Sequence, residues 1–400
     1  MKVKISPSRL KGKVTAPPSK SMCHRLLICA GLSQGESHIS NVLYSEDILA
    51  TLDCLCAMGA EIQKGEGFVK IKGTLPKAGA FRCRESGSTL RFFIPLAMLC
   101  DGESRFTGYG RLMERPMAIY ENIAKEKNIT YKKDSDTITV GTGLVSGDYT
   151  VPANVSSQFI SGLLFALPLC ESDSRITLTG NIESRSYIDM TLSAMELFGV
   201  STVWQSENTL YIKGNQQYKA NSLTVEGDCS NAAFLDAFNL LGGEVSVEGL
   251  REDTLQGDMV YKEYFSLLRQ GTPTLDIKNC PDLAPVLMTI GAAKGGCRLI
   301  NTARLKIKES DRGVVMAREL SKFGADIKVY DNEIVVDKAE LYAPKDDLYC
   351  HNDHRVVMSL AVLASAYGGT LKGAEAVAKS YPDFFTKVKS LGLETEIYDD

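Results

Sequence analysis

Six times along this chain a helical pattern runs into a glycine or an asparagine, and a strand pattern follows. The clear copies are "CLCAMGAEI" at Gly59, "MELFGVSTV" at Gly199 and "LSKFGADIKV" at Gly324. Fainter ones are "AKEKNITYK" at Asn128, "LLRQGTPTLDI" at Gly271 and "VKSLGLETEI" at Gly392. Glycine and asparagine tolerate the left-handed residue that closes a helix. An apolar side chain stands four residues before each stop: Leu55, Ala124, Met195, Leu267, Leu320 and Val388, at intervals of 69, 71, 72, 53 and 68 residues. Such a unit is longer than the roughly 20–50 residues of an ordinary solenoid repeat. Six units in 400 residues suit two domains of three units each.

A second kind of helix alternates with the first. Its copies begin polar, run through a very apolar body and end near a short strand: "SKSMCHRLLICAGLSQGESHISN", "SGSTLRFFIPLAMLCDGESRFTG", "SSQFISGLLFALPLCESDSRITLTG", "CSNAAFLDAFNLLGGEVSVEG", "PDLAPVLMTIGAAKGGCRLIN" and "NDHRVVMSLAVLASAYGGTLKG". Helices apolar on every side are buried. The glycine-ended helices are amphipathic, with Ile188, Leu192 and Met195 at i, i+4 and i+7. Alternating runs with polar turns follow them, as in "AEIQKGEGFVKIKG" and "ADIKVYDNEIVVDK", and predict hairpins. The fourth unit offers only "TLDIKN" and lacks the second strand. The expected domains are residues 1–18 with 228–400, and residues 19–227, the N-terminal strand joining the second half of the chain.

The starts of the buried helices carry Lys20 and Ser21; Gly87 and Ser88; Ser156, Ser157 and Gln158; Asp228 and Ser230; Asp282; and Asp353, His354 and Arg355. A helix start already holds partial positive charge and unpaired N–H groups, so cations added there imply a negative partner. Related units would bring these starts to one cleft between the two domains. Serines and aspartates in such places are also ordinary N-caps. Arg25 and Arg91 lie inside apolar runs, where a buried guanidinium requires a ligand or an acid. Lys308, Glu309 and Arg312 in "RLKIKESDRGVV" read either as a surface charge face or as part of the same anion site. His351 and His354 suggest no third metal ligand, and no metal site is expected.

The net charge of -4 and the single tryptophan argue against nucleic acid as a partner. Eleven scattered cysteines fit reduced thiols. The opening "MKVKISPSRL" has no apolar h-region, and no apolar run reaches membrane-spanning length, so a cytoplasmic protein with no membrane partner is expected.

Nine segments in order, "PPSKSMCHR", "ESGSTLRFF", "GRLMERPM", "SSQFISGLL", "ESRSYIDMT", "CPDLAPV", "IKESDR", "NDHRVVM" and "AKSYPDFF", resemble the enolpyruvyl transferase family over nearly the whole chain, and most closely the branch acting on shikimate 3-phosphate. The resemblance implies a two-domain inside-out α/β barrel fold built from six βαβαββ-type repeats, three per domain, with buried helices. It implies transfer of the enolpyruvyl group of phosphoenolpyruvate to the 5-hydroxyl of shikimate 3-phosphate, by addition and elimination, without a cofactor and as a monomer. Carried over by motif, Lys20, Ser21, Arg25, Ser156, Ser157, Ser184, Tyr187, Asp282 and Lys308 would hold shikimate 3-phosphate. Lys20, Gly87, Arg115, Gln158, Arg312, Arg355 and Lys379 would surround phosphoenolpyruvate. Asp282 would act as base, and Glu309 or Lys20 as acid. The chain departs from the family pattern at Glu85, where an asparagine is usual, at Phe92 in place of a proline, and at Arg304. The sister activity on UDP-N-acetylglucosamine uses a loop cysteine, and "GYGRLMERP" holds none.

Overall fold

The computed structural model describes residues 1–398. The chain divides into two compact units, one of residues Pro18–Glu226, the other of Met1–Pro17 with the chain from Gly227 onward. Both crossings fall one residue before the positions read from the sequence.

Twelve α-helices form among the described residues. Residues 18–226 hold α1 (Lys20–Leu32), α2 (Glu46–Ala57), α3 (Gly87–Ala97), α4 (Ala118–Glu126), α5 (Ser157–Ala166) and α6 (Arg185–Leu197). The other unit holds α7 (Cys229–Ala237), α8 (Tyr261–Gln270), α9 (Ala284–Lys294), α10 (Arg312–Ser321), α11 (His354–Tyr367) and α12 (Phe384–Ser390). The odd-numbered helices are the apolar ones. In α1 every residue from Met22 to Leu32 is buried, and in α11 every residue from His354 to Ser365. The even-numbered helices bury one face. None of the twelve is long and apolar enough to cross a membrane. Side-chain oxygens start several of them: Ser19 accepts from the Met22 N–H, Ser86 from Thr89, Asp228 from Asn231 and Asp353 from Arg355.

Each unit wraps its buried helices in sheets. Between residues 18 and 226 the sheets run, in spatial order, 222–224, 36–40, 68–72, 61–65; then 80–82, 104–107, 137–140, 131–133; then 148–152, 174–179, 209–212, 202–206. The first two strands of each sheet are parallel and the rest antiparallel. This is βαβαββ repeated three times. The last strand of the unit, Ser222–Thr224, supplies the first strand of the first sheet. Alternation sets the faces: Tyr149 and Val151 point inward from Asp148–Pro152, while their neighbours face water. With helices inside and sheets outside, the arrangement is inside-out relative to an ordinary α/β barrel.

The other unit repeats the plan with two exceptions. Lys11–Thr15 and Glu244–Glu248 pair alone as a parallel two-stranded sheet. "TLDIKN" does not belong to that fourth repeat: Thr274–Asp276 pairs parallel with Cys297–Ile300 and opens the fifth. The fourth repeat thus lacks its whole hairpin. Gly271 accordingly is extended (φ 166°), not left-handed, because no hairpin has to turn back there. Gly59, Gly199, Gly324, Gly392 and Asn128 are all left-handed at their helix ends. In the sixth sheet Lys2–Ser6 pairs antiparallel with both Gly369–Lys372 and Glu394–Tyr398, so the N-terminal strand completes what a hairpin would have supplied.

Glycine is required where two buried helices meet. A methyl group on Gly162 of α5 would lie 2.4 Å from the Arg91 carbonyl oxygen of α3 and 2.3 Å from the Tyr120 hydroxyl. Gly162→Ala should therefore lower stability by about 1–3 kcal/mol in a chemical denaturation curve. Gly271→Ala, which meets nothing within 4 Å, serves as the neutral control. Equal stability for both variants would contradict this packing.

Candidate functional site: two sets of buried cations

Within residues 18–226 the polar groups gather at the starts of α1, α3, α5 and α6. Ser19, not Ser21, caps α1; Ser21 lies inside the helix, and its carbonyl accepts from Arg25 Nη1 at 2.7 Å. Lys20 donates to Asp47 Oδ2 at 2.6 Å, across to the first turn of α2. Arg25, buried to 2% exposure, donates to Thr191 Oγ1 at 2.8 Å and to the Tyr187 carbonyl at 2.9 Å. It stacks over Phe92 and Tyr187, centroids 5.4 and 5.8 Å away. These oxygens are all neutral, and among the described residues no carboxylate pairs with Arg25. Burial accordingly pulls its pKa down to about 10, only partly opposed by Tyr187. A desolvated guanidinium beside uncharged acceptors is a standing attraction for an anion.

The α3 and α5 starts are tied through one amide. Arg91 Nη1 donates to Gln158 Oε1 at 2.6 Å, and Gln158 Nε2 donates to Ser88 Oγ at 2.9 Å. Arg91 also sits over the Phe159 ring, 4.8 Å from its centroid. Ser156 caps α5 and Ser157 is its buried first residue. Gly87 opens α3, and a Cβ there would come within 2.5 Å of Arg115 Nη1. The missing side chain is what lets Arg115 lie over this helix start. Ser184, buried and left-handed at φ 57°, begins α6. Asp47, Ser161 and Thr191 also belong to this set; singly, a serine or threonine in an apolar helix gives no signal that it will meet a guanidinium from another repeat.

The second set lies in the other unit. Asp282 Oδ1 accepts from Arg312 at 2.7 Å and from Lys308 at 3.2 Å, and Oδ2 accepts from Arg355 at 3.0 Å. It is therefore not a helix cap. Arg312 also donates to Glu309 Oε2 at 2.6 Å and to Asp353 Oδ2 at 2.9 Å. Burial works against the Arg312 charge, but Asp353, Glu309 and Asp282 overcome it and raise its pKa above the usual arginine range. Lys308 goes the other way: desolvation lowers its pKa, with Asp282 opposing. Arg355 Nη1 donates to Ser230 Oγ at 2.6 Å, so Ser230 is a partner inside α7 rather than a cap. Lys379 donates to the Asn352 carbonyl at 2.6 Å. The charge string around Arg312 is thus buried, not a surface face. Arg304 donates to the Lys278 carbonyl at 2.6 Å. Mixed buried acids and cations of this density can move protons at a bound anion, which isolated cations cannot.

His24 sits between the first set's cations on α1. Its Nδ1 lies 2.7 Å from Thr51 Oγ1, and its Nε2 meets no partner among the described residues. Burial, then Lys20 and Arg25, hold its pKa well below the usual 6.5. The folded state therefore keeps His24 neutral while the unfolded chain takes up a proton below about pH 6.5. Stability through this group is lost as pH falls below that point, at up to about 1.4 kcal/mol per pH unit. His24→Asn should flatten the stability–pH curve between pH 5 and 6.5; an unchanged slope would rule out a buried neutral imidazole.

Comparison with known proteins adds an independent line. The family model for EPSP synthase (3-phosphoshikimate 1-carboxyvinyltransferase) matches residues 5–388. A 3-phosphoshikimate 1-carboxyvinyltransferase of Clostridium kluyveri is 42% identical, with 98% of each chain covered. One from Clostridioides difficile is 39% identical over 98% of this chain and 97% of its own. Among solved structures, an EPSP synthase from Acinetobacter baumannii superposes with a TM-score of 0.80 at 23% identity, covering all of both chains. The enolpyruvyl transferase NikO from Streptomyces tendae reaches 0.79 at 14% identity, covering 99% of this chain and 98% of its own.

Proposed function

This chain belongs to the EPSP synthase (3-phosphoshikimate 1-carboxyvinyltransferase) family, and from that premise we propose that its two sets of buried cations serve one pair of anionic substrates. The reaction moves the enolpyruvyl group of phosphoenolpyruvate to the 5-hydroxyl of shikimate 3-phosphate and releases phosphate, a step of the shikimate pathway. Both substrates carry phosphate and carboxylate, and in water they repel each other. Desolvated cations and helix starts offset that repulsion, and each contact strengthens as water is excluded.

The division of labour is the one the family motifs imply. Arg25, Ser21, Ser156, Ser157, Ser184 and Tyr187 take shikimate 3-phosphate; the carboxylate-free surroundings of Arg25 support this role. Arg115 over Gly87, with Gln158, Arg312, Arg355 and Lys379, takes phosphoenolpyruvate. Lys20 reaches both. Asp282 accepts the 5-hydroxyl proton as the oxygen adds to C2 of phosphoenolpyruvate, with Lys308 beside it for the ring hydroxyls. Lys20 gives a proton to the methylene carbon. Glu309, oriented by the Arg312 guanidinium, removes a proton from the resulting methyl group as phosphate leaves. The enzyme is read as a cytoplasmic monomer, a reading supported by its eleven free thiols and by a complete set of site residues in one chain.

The single observation carrying this reading is the convergence of Lys308, Arg312 and Arg355 on Asp282. A coupled assay should detect phosphate release only with phosphoenolpyruvate and shikimate 3-phosphate together, and none with UDP-N-acetylglucosamine. Lys20→Met and Arg355→Ala, one from each unit, should each lower kcat/KM by about 10²–10³. Wild-type turnover in either variant would refute joint action of the two sets. Glyphosate should compete with phosphoenolpyruvate. Gly87→Ala, which displaces the Arg115 guanidinium, should weaken that inhibition about tenfold, on the order of 1.4 kcal/mol; equal inhibition of both forms would show that Arg115 does not rest on this helix start.

A further inference from the structure

The unit containing α10 holds a second buried acid outside the set around Arg312. Glu319 lies on α10 seven residues after Arg312, two turns along the same face, and is fully buried. Its Oε2 accepts from Lys322 at 2.5 Å and from the Tyr349 N–H at 2.9 Å. Its Oε1 lies 3.0 Å from His351 Nε2 and 3.9 Å from Arg318 Nε. Two residues on one helix face therefore grip one short segment. Glu319 holds Tyr349 and His351, while Arg312 and Ser310 hold Asp353 at 2.9 and 3.0 Å.

Between those grips the backbone is left-handed twice in succession, at His351 (φ 49°) and Asn352 (φ 53°). Neither residue is glycine, and although asparagine and histidine tolerate this conformation better than most, two in succession carry a cost that glycine would not. Contacts on the segment offset that cost, and Glu319 is the buried acid among them, meeting the His351 ring at 3.0 Å and the Tyr349 N–H at 2.9 Å. The conformation matters because of what it presents. The Asn352 carbonyl receives the Lys379 ammonium at 2.6 Å, and Asp353 caps α11 by accepting the Arg355 backbone N–H at 3.0 Å. These are two of the cations assigned above to phosphoenolpyruvate.

We propose that Glu319, acting through His351, is a positioning residue that clamps the left-handed turn His351–Asn352 and so places Lys379 and Arg355 for phosphoenolpyruvate. This rests on the substrate assignment of the previous section. The turn's own contacts lead to one substrate, since Lys379 on the Asn352 carbonyl is assigned to phosphoenolpyruvate alone, while Arg355 also meets Asp282 at 3.0 Å.

Steady-state kinetics with each substrate varied separately test this. Glu319→Gln keeps the shape of the side chain and loses its charge. It should raise KM for phosphoenolpyruvate at least fivefold and leave KM for shikimate 3-phosphate within twofold. His351→Ala, at a position about a quarter exposed and so tolerant of truncation, should do the same if Glu319→Gln fails to fold. Adding Asn352→Gly, which adopts the turn without being held, should bring KM for phosphoenolpyruvate back toward the parent value; a merely structural acid would not be rescued in this way. Wild-type KM values in both single variants, equal rises for both substrates, or no rescue would each overturn the clamp. Lys379→Ala and Arg355→Ala are the controls: if neither raises KM for phosphoenolpyruvate, the substrate assignment has failed rather than the clamp.

Discussion

The arrangement of α9, α10 and α11 depends on a guanidinium that has left water. Arg312 is about 1% exposed, and a charge so buried survives only with acids around it. It has three, on three different pieces of backbone: Asp282 before α9, Glu309 just before its own helix and Asp353 at the cap of α11. Two of them come from the fifth repeat and one from the sixth. Moving any of these helices by an ångström would leave an unpaired charge in a dry place. The network therefore fixes helix starts more tightly than apolar packing, which tolerates sliding among residues of similar volume.

The two units use the same fold to opposite electrostatic ends. In residues 18–226 the deepest cation, Arg25, meets neutral hydroxyl and carbonyl oxygens, and burial weakens its hold on its proton. Around Arg312 the acids are built in, and its pKa rises. The first environment suits a ligand that brings its own negative charge. The second suits proton movement, because acids and bases already share hydrogen bonds there. The same repeat plan thus carries two different electrostatic settings, one of neutral acceptors and one of built-in acids.

The repeat itself carries a small irregularity that clarifies the rest. The fourth copy has lost its hairpin, and the N-terminal strand Lys2–Ser6 fills the matching strand position in the sixth. The structure closes its sheets with whatever strand has the right alternation, whether or not it is nearby in the chain. Hence "TLDIKN", which follows the fourth amphipathic helix directly, pairs with the repeat after it.

Helix type, repeat length and the polar residues at helix starts were all legible in the sequence, because burial writes a local period of 3.6 or 2 residues into the chain. Lys20, Asp282 and Arg355 stood out because charges at the heads of apolar helices break that period, and Arg25 because it lies inside one; Arg312, opening an amphipathic helix, read equally as a surface face. What only the tertiary structure decided was which partner each one takes. Arg25 finds Thr191 at a separation of 166 residues, and Arg355 finds Ser230 at 125. The burial of Glu319 and the left-handed turn at His351–Asn352 were equally hidden. A glutamate on an amphipathic helix looks solvated until another repeat covers it, and histidine and asparagine, though both tolerate a left-handed angle, adopt it in only a minority of places, so their presence alone does not mark a turn.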